Sequence, residues 1–239
     1  MDLQDQRVIV LGGTSGIGLA TAQAAARQGA VVTVASSRRA GVDHALSLLP
    51  GGSGGRVVDL TDARAVDELF EEHGRFDHLV FTAGEPLRLM SLDTLDLDAA
   101  RDFFALRYFG ALGAVRAAVP HLREGGSITL TTGTAKDRPG PGWAVAASIC
   151  GAMEALTRAL AVELAPTRVN VVSPGFVRSP LWSGMGEEDR ERMYAEVGAA
   201  IPVGRVGEVE DIARAFVFLM TEPFATGTVL TVDGGNVLV

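Results

Sequence analysis

Cysteine occurs once in this chain, at Cys150, so no disulfide can form within it, and the sequence suits a reducing cytoplasm. Positive charge is scarce as well. The formal net charge of -8 argues against non-specific binding to nucleic acid or to an anionic membrane, both of which need a basic surface. Apolar runs are broken by glycine or charge before the ~20 residues that span a bilayer, so no membrane segment is expected. The opening residues MDLQDQRVIVLGG put no basic stretch ahead of an apolar run and do not read as a signal peptide, which again predicts a cytoplasmic protein. Histidine, cysteine and carboxylates nowhere cluster at metal-ligand spacing, so no metal site is expected.

What the chain does have is apolar residues, 47% of the total, in short β-branched runs at 7–12, 30–36, 56–60, 78–84, 127–133, 168–174 and 228–235. Between them lie segments with helical periodicity, from about Gly16 to Gln28, in DARAVDELFEEHG and in VEDIARAFVFLM. Continuous apolar strands alternating with helices mark a parallel sheet covered on both faces. The expectation is a Rossmann-type, doubly wound, seven-stranded α/β sheet in a single domain over 1–239. GGSGG at 51–55 reads as a flexible loop within it. The one long excursion, 179–202, follows a strand end and reads as a substrate lid.

The first strand runs into L-G-G-T-S-G-I-G-L (11–19) and then a helix. Gly12, Gly16 and Gly18, with Thr14, Ser15 and Ile17 between them, are spaced to bring backbone close to a pyrophosphate at the helix N-terminus. After the second strand stand Ser36, Ser37, Arg38 and Arg39 with no acid, which favours NADP(H) over NAD(H) because an arginine suits a 2′-phosphate.

These motifs together resemble the short-chain dehydrogenase/reductase family over essentially the whole chain. G-G-T-S-G-I-G is similar to the family's nucleotide loop, with Leu11 where a threonine usually leads. Asp59-Leu60 resembles the pair that holds adenine. Thr82-Ala83-Gly84 resembles the family's N-A-G strand end. V-N-V-V-S-P-G-F-V-R-S-P-L (169–181) and V-D-G-G (232–235) are close to its consensus. The resemblance implies that Ala83, Gly84, Pro174, Gly175, Val177 and Ser179 contact the dinucleotide. It also implies dimers or tetramers, built through the alanine- and glycine-rich faces of helices at Leu97–Leu122 and Val145–Leu164.

The same resemblance locates the family's catalytic asparagine, serine, tyrosine and lysine, and none of the four stands here. Aligned without gaps, tyrosine becomes Ala146 and lysine becomes Cys150; serine falls on Gly133 and asparagine on Arg107. No change of register restores the pair. The tyrosines, Tyr108 and Tyr194, have no lysine four residues on, and the sole lysine is Lys136. Losing a positioned general acid costs roughly 10²–10⁴-fold in rate. Two functional readings follow. One is a catalytically impaired homologue that binds NADP(H) for sensing or assembly. The other is an NADP(H)-dependent oxidoreductase of altered mechanism, in which a small carbonyl or enone supplies its own acid or meets a substitute.

Candidate substitutes can be named. Arg107 either restores positive charge where the lysine is missing or points into a dimer interface. Lys136, beside Asp137 and prolines, is expected to be exposed and solvated. Thr132 and Thr134 flank the serine position and could hold a substrate oxygen. Tyr108 is expected to be packing, and Cys150 a small buried residue without the neighbouring cation a reactive thiolate needs. The histidines, at 44, 73, 78 and 121, fall outside the expected pocket elements.

Overall fold

The computed structural model describes residues 2–239. The β-branched runs form strands β1 (Arg7–Leu11), β2 (Val31–Ser36), β3 (Gly54–Val57), β4 (Phe76–Phe81), β5 (Leu122–Thr131), β6 (Arg168–Pro174) and β9 (Val229–Val232). They make one seven-stranded sheet in the order β3-β2-β1-β4-β5-β6-β9, with every pairing parallel. The expected Rossmann-type doubly wound sheet is therefore present. Successive side chains of a strand point to opposite faces. Ile9 and Leu11 accordingly enter one core while Val8 and Val10 enter the other. The first core is closed by α3 (Ala63–His73), α4 (Leu97–Phe104), α5 (Ala111–Ala118) and α6 (Ala144–Glu163). The second is closed by α1 (Gly16–Arg27), α2 (Arg39–Ser47) and α8 (Val209–Thr221).

From β1 the chain winds outward to β3, then crosses back to β4 and continues the other way. In such sheets the crevice at the carboxyl ends of the strands, where the order reverses, is the ligand position. Here it lies between the residues that follow β1 and β4.

Four local expectations change. The third strand starts at Gly54, inside the glycine-rich stretch, and ends at Val57. Gly54 pairs with Thr33, so part of the expected loop is an edge strand, and Val58 to Leu60 leave the sheet toward the crevice. The helix expected over Leu97–Leu122 is broken. Between α4 and α5 runs a π-helical stretch, Ala105–Gly110, and Pro120 and His121 end the element in a 3-10 turn, since proline cannot continue a helix. The excursion 179–202 holds a 3-10 turn at Pro180–Trp182 and α7 (Glu187–Ala200). Its base is pinned by a two-stranded pair, β7 (Val177–Arg178) with β8 (Gly207–Glu208), that periodicity did not reveal. Finally, α6 does reach span length, with an 18-residue window of mean hydropathy 1.4. Its buried Val145, Ala146, Ile149, Met153 and Leu160 recur at helical spacing and belong to the first core, as befits a helix packed on β6.

Candidate functional site

The cradle begins where β1 ends. Gly12 has φ of 83°, and a Cβ there would stand 2.5 Å from the Ala83 nitrogen. A Cβ on Gly18 would collide with the Gly12 carbonyl oxygen and the Thr82 hydroxyl. Only glycine lets the loop, α1 and the end of β4 approach this closely. Thr82, in place of the family's asparagine, donates its hydroxyl hydrogen to the Leu11 carbonyl at 3.1 Å and so ties β4 to the loop. Helix α1 opens at Gly16 behind an extended Ser15 whose side chain makes no capping bond, leaving first-turn amides and a hydroxyl for an anion.

The far end of the cleft is built by the ends of β2 and β3. Arg38 lines it and makes no side-chain hydrogen bond or ion pair among the described residues, whereas the exposed Arg39 reaches Asp43 at 3.8 Å. Asp59 Oδ1 accepts from the Thr61 amide at 2.9 Å and the Thr61 hydroxyl at 2.7 Å, which holds its carboxyl below the usual range.

At the other end, Gly133, Ala146 and Cys150 form one wall. A Cβ on Gly133 would lie 3.5 Å from Cys150 Sγ, and Ala146 precedes Cys150 by four residues on α6, on the same face. The Thr132 hydroxyl is committed to the Cys150 carbonyl at 2.9 Å, so it is not the free group that could hold a substrate oxygen. The buried Thr134 lines the cavity, and its hydroxyl has no hydrogen-bond partner among the described residues. Burial raises the Cys150 pKa, against the opposing pull of Thr132, Arg107 and Lys136, so at neutral pH this is a thiol.

Of the two roles expected of Arg107, the structure favours charge near the lysine position over an interface: its side chain is 20% exposed, lines the cavity and acts electrostatically on Cys150. It does so while lying across the end of β4. Its guanidinium donates to the Glu85 carbonyl, stands 3.5 Å from Glu85 Oε2 through Nε, and covers the Phe103 ring at 4.5 Å. Burial lowers its pKa, while the Glu85 carboxylate works to raise it. Arg107 Nε and Glu85 Oε2 are both buried atoms without a hydrogen-bond partner.

Lys136 also differs from expectation. It is 20% exposed, and its ammonium reaches the nearly buried Glu154 carboxylate at 2.8 Å and Asp137 at 2.5 Å. A short helical turn at Thr134–Lys136 swings it behind the wall, where it packs against α6, so it is a structural ion pair. Tyr108 packs edge-on against Phe104 and Phe109, as expected of a residue adjacent to Arg107 on its helical turn. Among the described residues no histidine lines the cavity. His78 lies at the opposite end of the sheet, bonded to Ser127 at 2.8 Å and Gln6 at 2.5 Å, with burial pushing its pKa down to about 4.

The excursion 179–202 covers this end. Trp182 is buried, donates its indole N–H to the Val177 carbonyl at 3.1 Å and stacks on Phe176 with centroids 5.2 Å apart. The Leu87 amide bonds the Leu181 carbonyl at 2.9 Å, and the Met90 amide bonds the Gly142 carbonyl at 2.9 Å, strapping the stretch after β4 to the excursion and to the loop before α6.

A single cavity of about 810 Å³ runs through all of these places, in the upper part of the range for ligand clefts, roughly 300–1,000 Å³. Every candidate dinucleotide residue read from the sequence lies on its wall, from Gly12, Thr14, Ser15, Gly16, Ile17 and Gly18 through Ser37, Arg38, Asp59, Leu60, Ala83 and Gly84 to Pro174, Gly175, Val177 and Ser179. So do Arg107, Gly133, Ala146 and Cys150. Sequence reasoning missed Glu85, Leu87, Phe103, Trp143, Phe176, Leu181 and Trp182. Two signals pointed to some of them. Glu85 is a charge directly after a T-A-G strand end, and Trp143 stands one turn before Ala146.

Residues 12–236 match the family described as Enoyl-(Acyl carrier protein) reductase. The short-chain dehydrogenase/reductase ATR9 of Stachybotrys chlorohalonatus is 36% identical over 99% of this chain and 98% of its own. A small-chain dehydrogenase solved in complex with NADPH is 37% identical with a TM-score of 0.88, covering 99% of this chain and 100% of that one. MalC reductase/Diels-Alderase from Malbranchea aurantiaca is 29% identical with a TM-score of 0.92, covering 99% and 98%.

Proposed function

The chain belongs to the short-chain dehydrogenase/reductase family, and on that premise we propose that it is an NADP(H)-dependent reductase working without the family's tyrosine–lysine relay. The observation that carries this reading is the cavity's continuity. One cleft joins a glycine cradle to an aromatic chamber under a lid, and the four tetrad-equivalent positions line its wall. A protein that only sensed the cofactor would have no need of that chamber.

The residues present fit a dinucleotide. The space at Gly12 and Gly18 admits no Cβ, the Ser15 end of α1 is uncapped, and the unpaired Arg38 suits a 2′-phosphate. The solved relative with NADPH supports the same preference. When bound, NADPH supplies the hydride. The chain itself offers no proton donor of the family type. Arg107 stays a cation at neutral pH, so it stabilises negative charge developing on an acceptor without giving up a proton. Thr134 supplies an uncommitted hydroxyl, and Leu87, Leu181 and Trp182 keep water out of the chamber. The acceptor therefore brings its own acid or is an activated double bond. A relative named both reductase and Diels-Alderase supports the use of this scaffold for more than alcohol oxidation.

A second reading, binding without turnover, rests on the same four positions. Either version includes a cytoplasmic location and assembly through the α4–α5 segment and α6, where Phe109 of the π-helical stretch and Val162 of α6 are exposed at 61% and 81%. Titration with NADPH and NADH, followed by stopped-flow absorbance against ketones, enones and imines, tests the choice. NADPH oxidation by an activated acceptor supports the reductase. Tight NADPH binding with no oxidation across the panel overturns it in favour of the second reading.

A further inference from the structure

Resting on the reductase reading, we propose that the chamber takes a neutral, flat acceptor of at least two fused rings, not the small carbonyl or enone that the sequence suggested. The family's tyrosine and lysine positions both open onto the cavity, and here they carry only a methyl group and a thiol, beside a glycine. A side chain of tyrosine size at position 146 would occupy the space in front of that wall. With alanine there, the space belongs to the ligand.

The other sides of the chamber are broad and apolar. Trp143 stands one turn before Ala146; Leu87 and Leu181 are joined through their backbones; and Phe176 and Trp182 form a parallel stack with an 8° angle between rings. Aromatic faces of this kind favour planar apolar partners. Among the described residues the only charged side chains lining this end, Glu85 and Arg107, lie 3.5 Å apart and offset one another, which disfavours an ionic acceptor.

Binding to the NADP⁺-loaded protein, in which no reduction can occur, separates this proposal from the reductase reading. Cyclohexanone, 2-tetralone and 9-fluorenone are titrated by tryptophan fluorescence. The expected result is tighter binding of the fused-ring ketones by at least about tenfold, the scale of one or two well-packed methylenes in an apolar site. Ala146→Tyr is expected to lose that preference by a similar factor. The family resemblance puts a tyrosine there, so the fold should accept it, and Gly133→Ser provides a second, smaller obstruction. Equal affinity for one-ring and fused-ring ketones, or an unchanged 2-tetralone affinity in both variants, overturns the proposal. Tight 2-tetralone binding to the NADP⁺-loaded protein, with no NADPH oxidation by any ketone, enone or imine of the panel, sinks the reductase reading and leaves the chamber assignment standing.

Discussion

Gly84 is the floor on which Arg107 lies: a Cβ at residue 84 would come within 2.7 Å of Arg107 Nη1. With Phe103 on its other side and the Glu85 carbonyl accepting from it, the guanidinium is held in one place. Gly84→Ala is therefore expected to displace Arg107 and to weaken NADPH binding much as Arg107→Ala does. Isothermal titration of both variants checks this, and unchanged dissociation constants would remove Arg107 from the site.

Removing Arg107 also leaves Glu85 without its partner. Glu85 Oε2 is a buried atom whose nearest cation is Arg107, and leaving such a group uncompensated costs about 1–3 kcal/mol. Arg107→Ala should lower the urea midpoint accordingly, while adding Glu85→Gln should recover part of the loss. Strict additivity in the double variant would show that the two side chains are not coupled.

Building a family-type relay into the cavity wall tests the proposal that the protein works without one. Gly133→Ser, Ala146→Tyr and Cys150→Lys together should raise NADPH-dependent reduction of a one-ring ketone by roughly 10²–10⁴-fold, the usual worth of a positioned acid. If the triple variant folds, binds NADPH and gains nothing, the relay is not what limits this protein on simple ketones.

The proposed preference for NADP(H) over NAD(H) rests on Arg38. Arg38→Ala should weaken NADPH binding by about ten- to a hundredfold, as befits a lost charge-assisted contact, with NADH little affected. A parallel loss for both nucleotides would place Arg38 elsewhere than at the 2′-phosphate.

His78 gives the fold an acid-sensitive point away from the cavity. Its pKa is pushed down to about 4 from 6.5, first by burial and then by Arg168, so the neutral ring is the one that fits between Gln6 and Ser127. A depressed folded-state pKa contributes stability above about pH 6.5, and that stability fades as pH falls toward 4, by roughly 3 kcal/mol in all. Urea midpoints measured across this window should fall steadily, and His78→Asn should flatten the decline. A variant that declines as steeply as the parent would assign the acid sensitivity to other groups.

The sheet and both helical layers were legible because β-branched runs and helical periodicity report burial directly. The cradle was legible because a pyrophosphate needs glycine at fixed spacing. The chamber was not. Leu87, Phe176, Leu181 and Trp182 come from segments with no period, joined by backbone bonds across the lid, and their common surface exists only once the chain has folded. Lys136 was misjudged for a similar reason. Its sequence neighbours are polar and proline-rich, but its actual partner, Glu154, lies on another element. The direction of Arg107 depended on a floor and a π turn that residue types do not announce.

That π turn has a consequence for how the protein tolerates change. An α-helix rotates each residue by about 100°, and one extra residue in a turn resets the phase of everything after it. Upstream of Gly110, Phe103 and Arg107 line the cavity; downstream, Ala111, Ala114, Val115 and Ala118 are buried where α5 packs on α3. The stretch Ala105–Gly110 works as a phase coupling between two helices with different obligations. Repacking on the α3 side can therefore proceed without turning Arg107, whereas deleting a single residue from 105–110 would rotate one obligation out of place to keep the other.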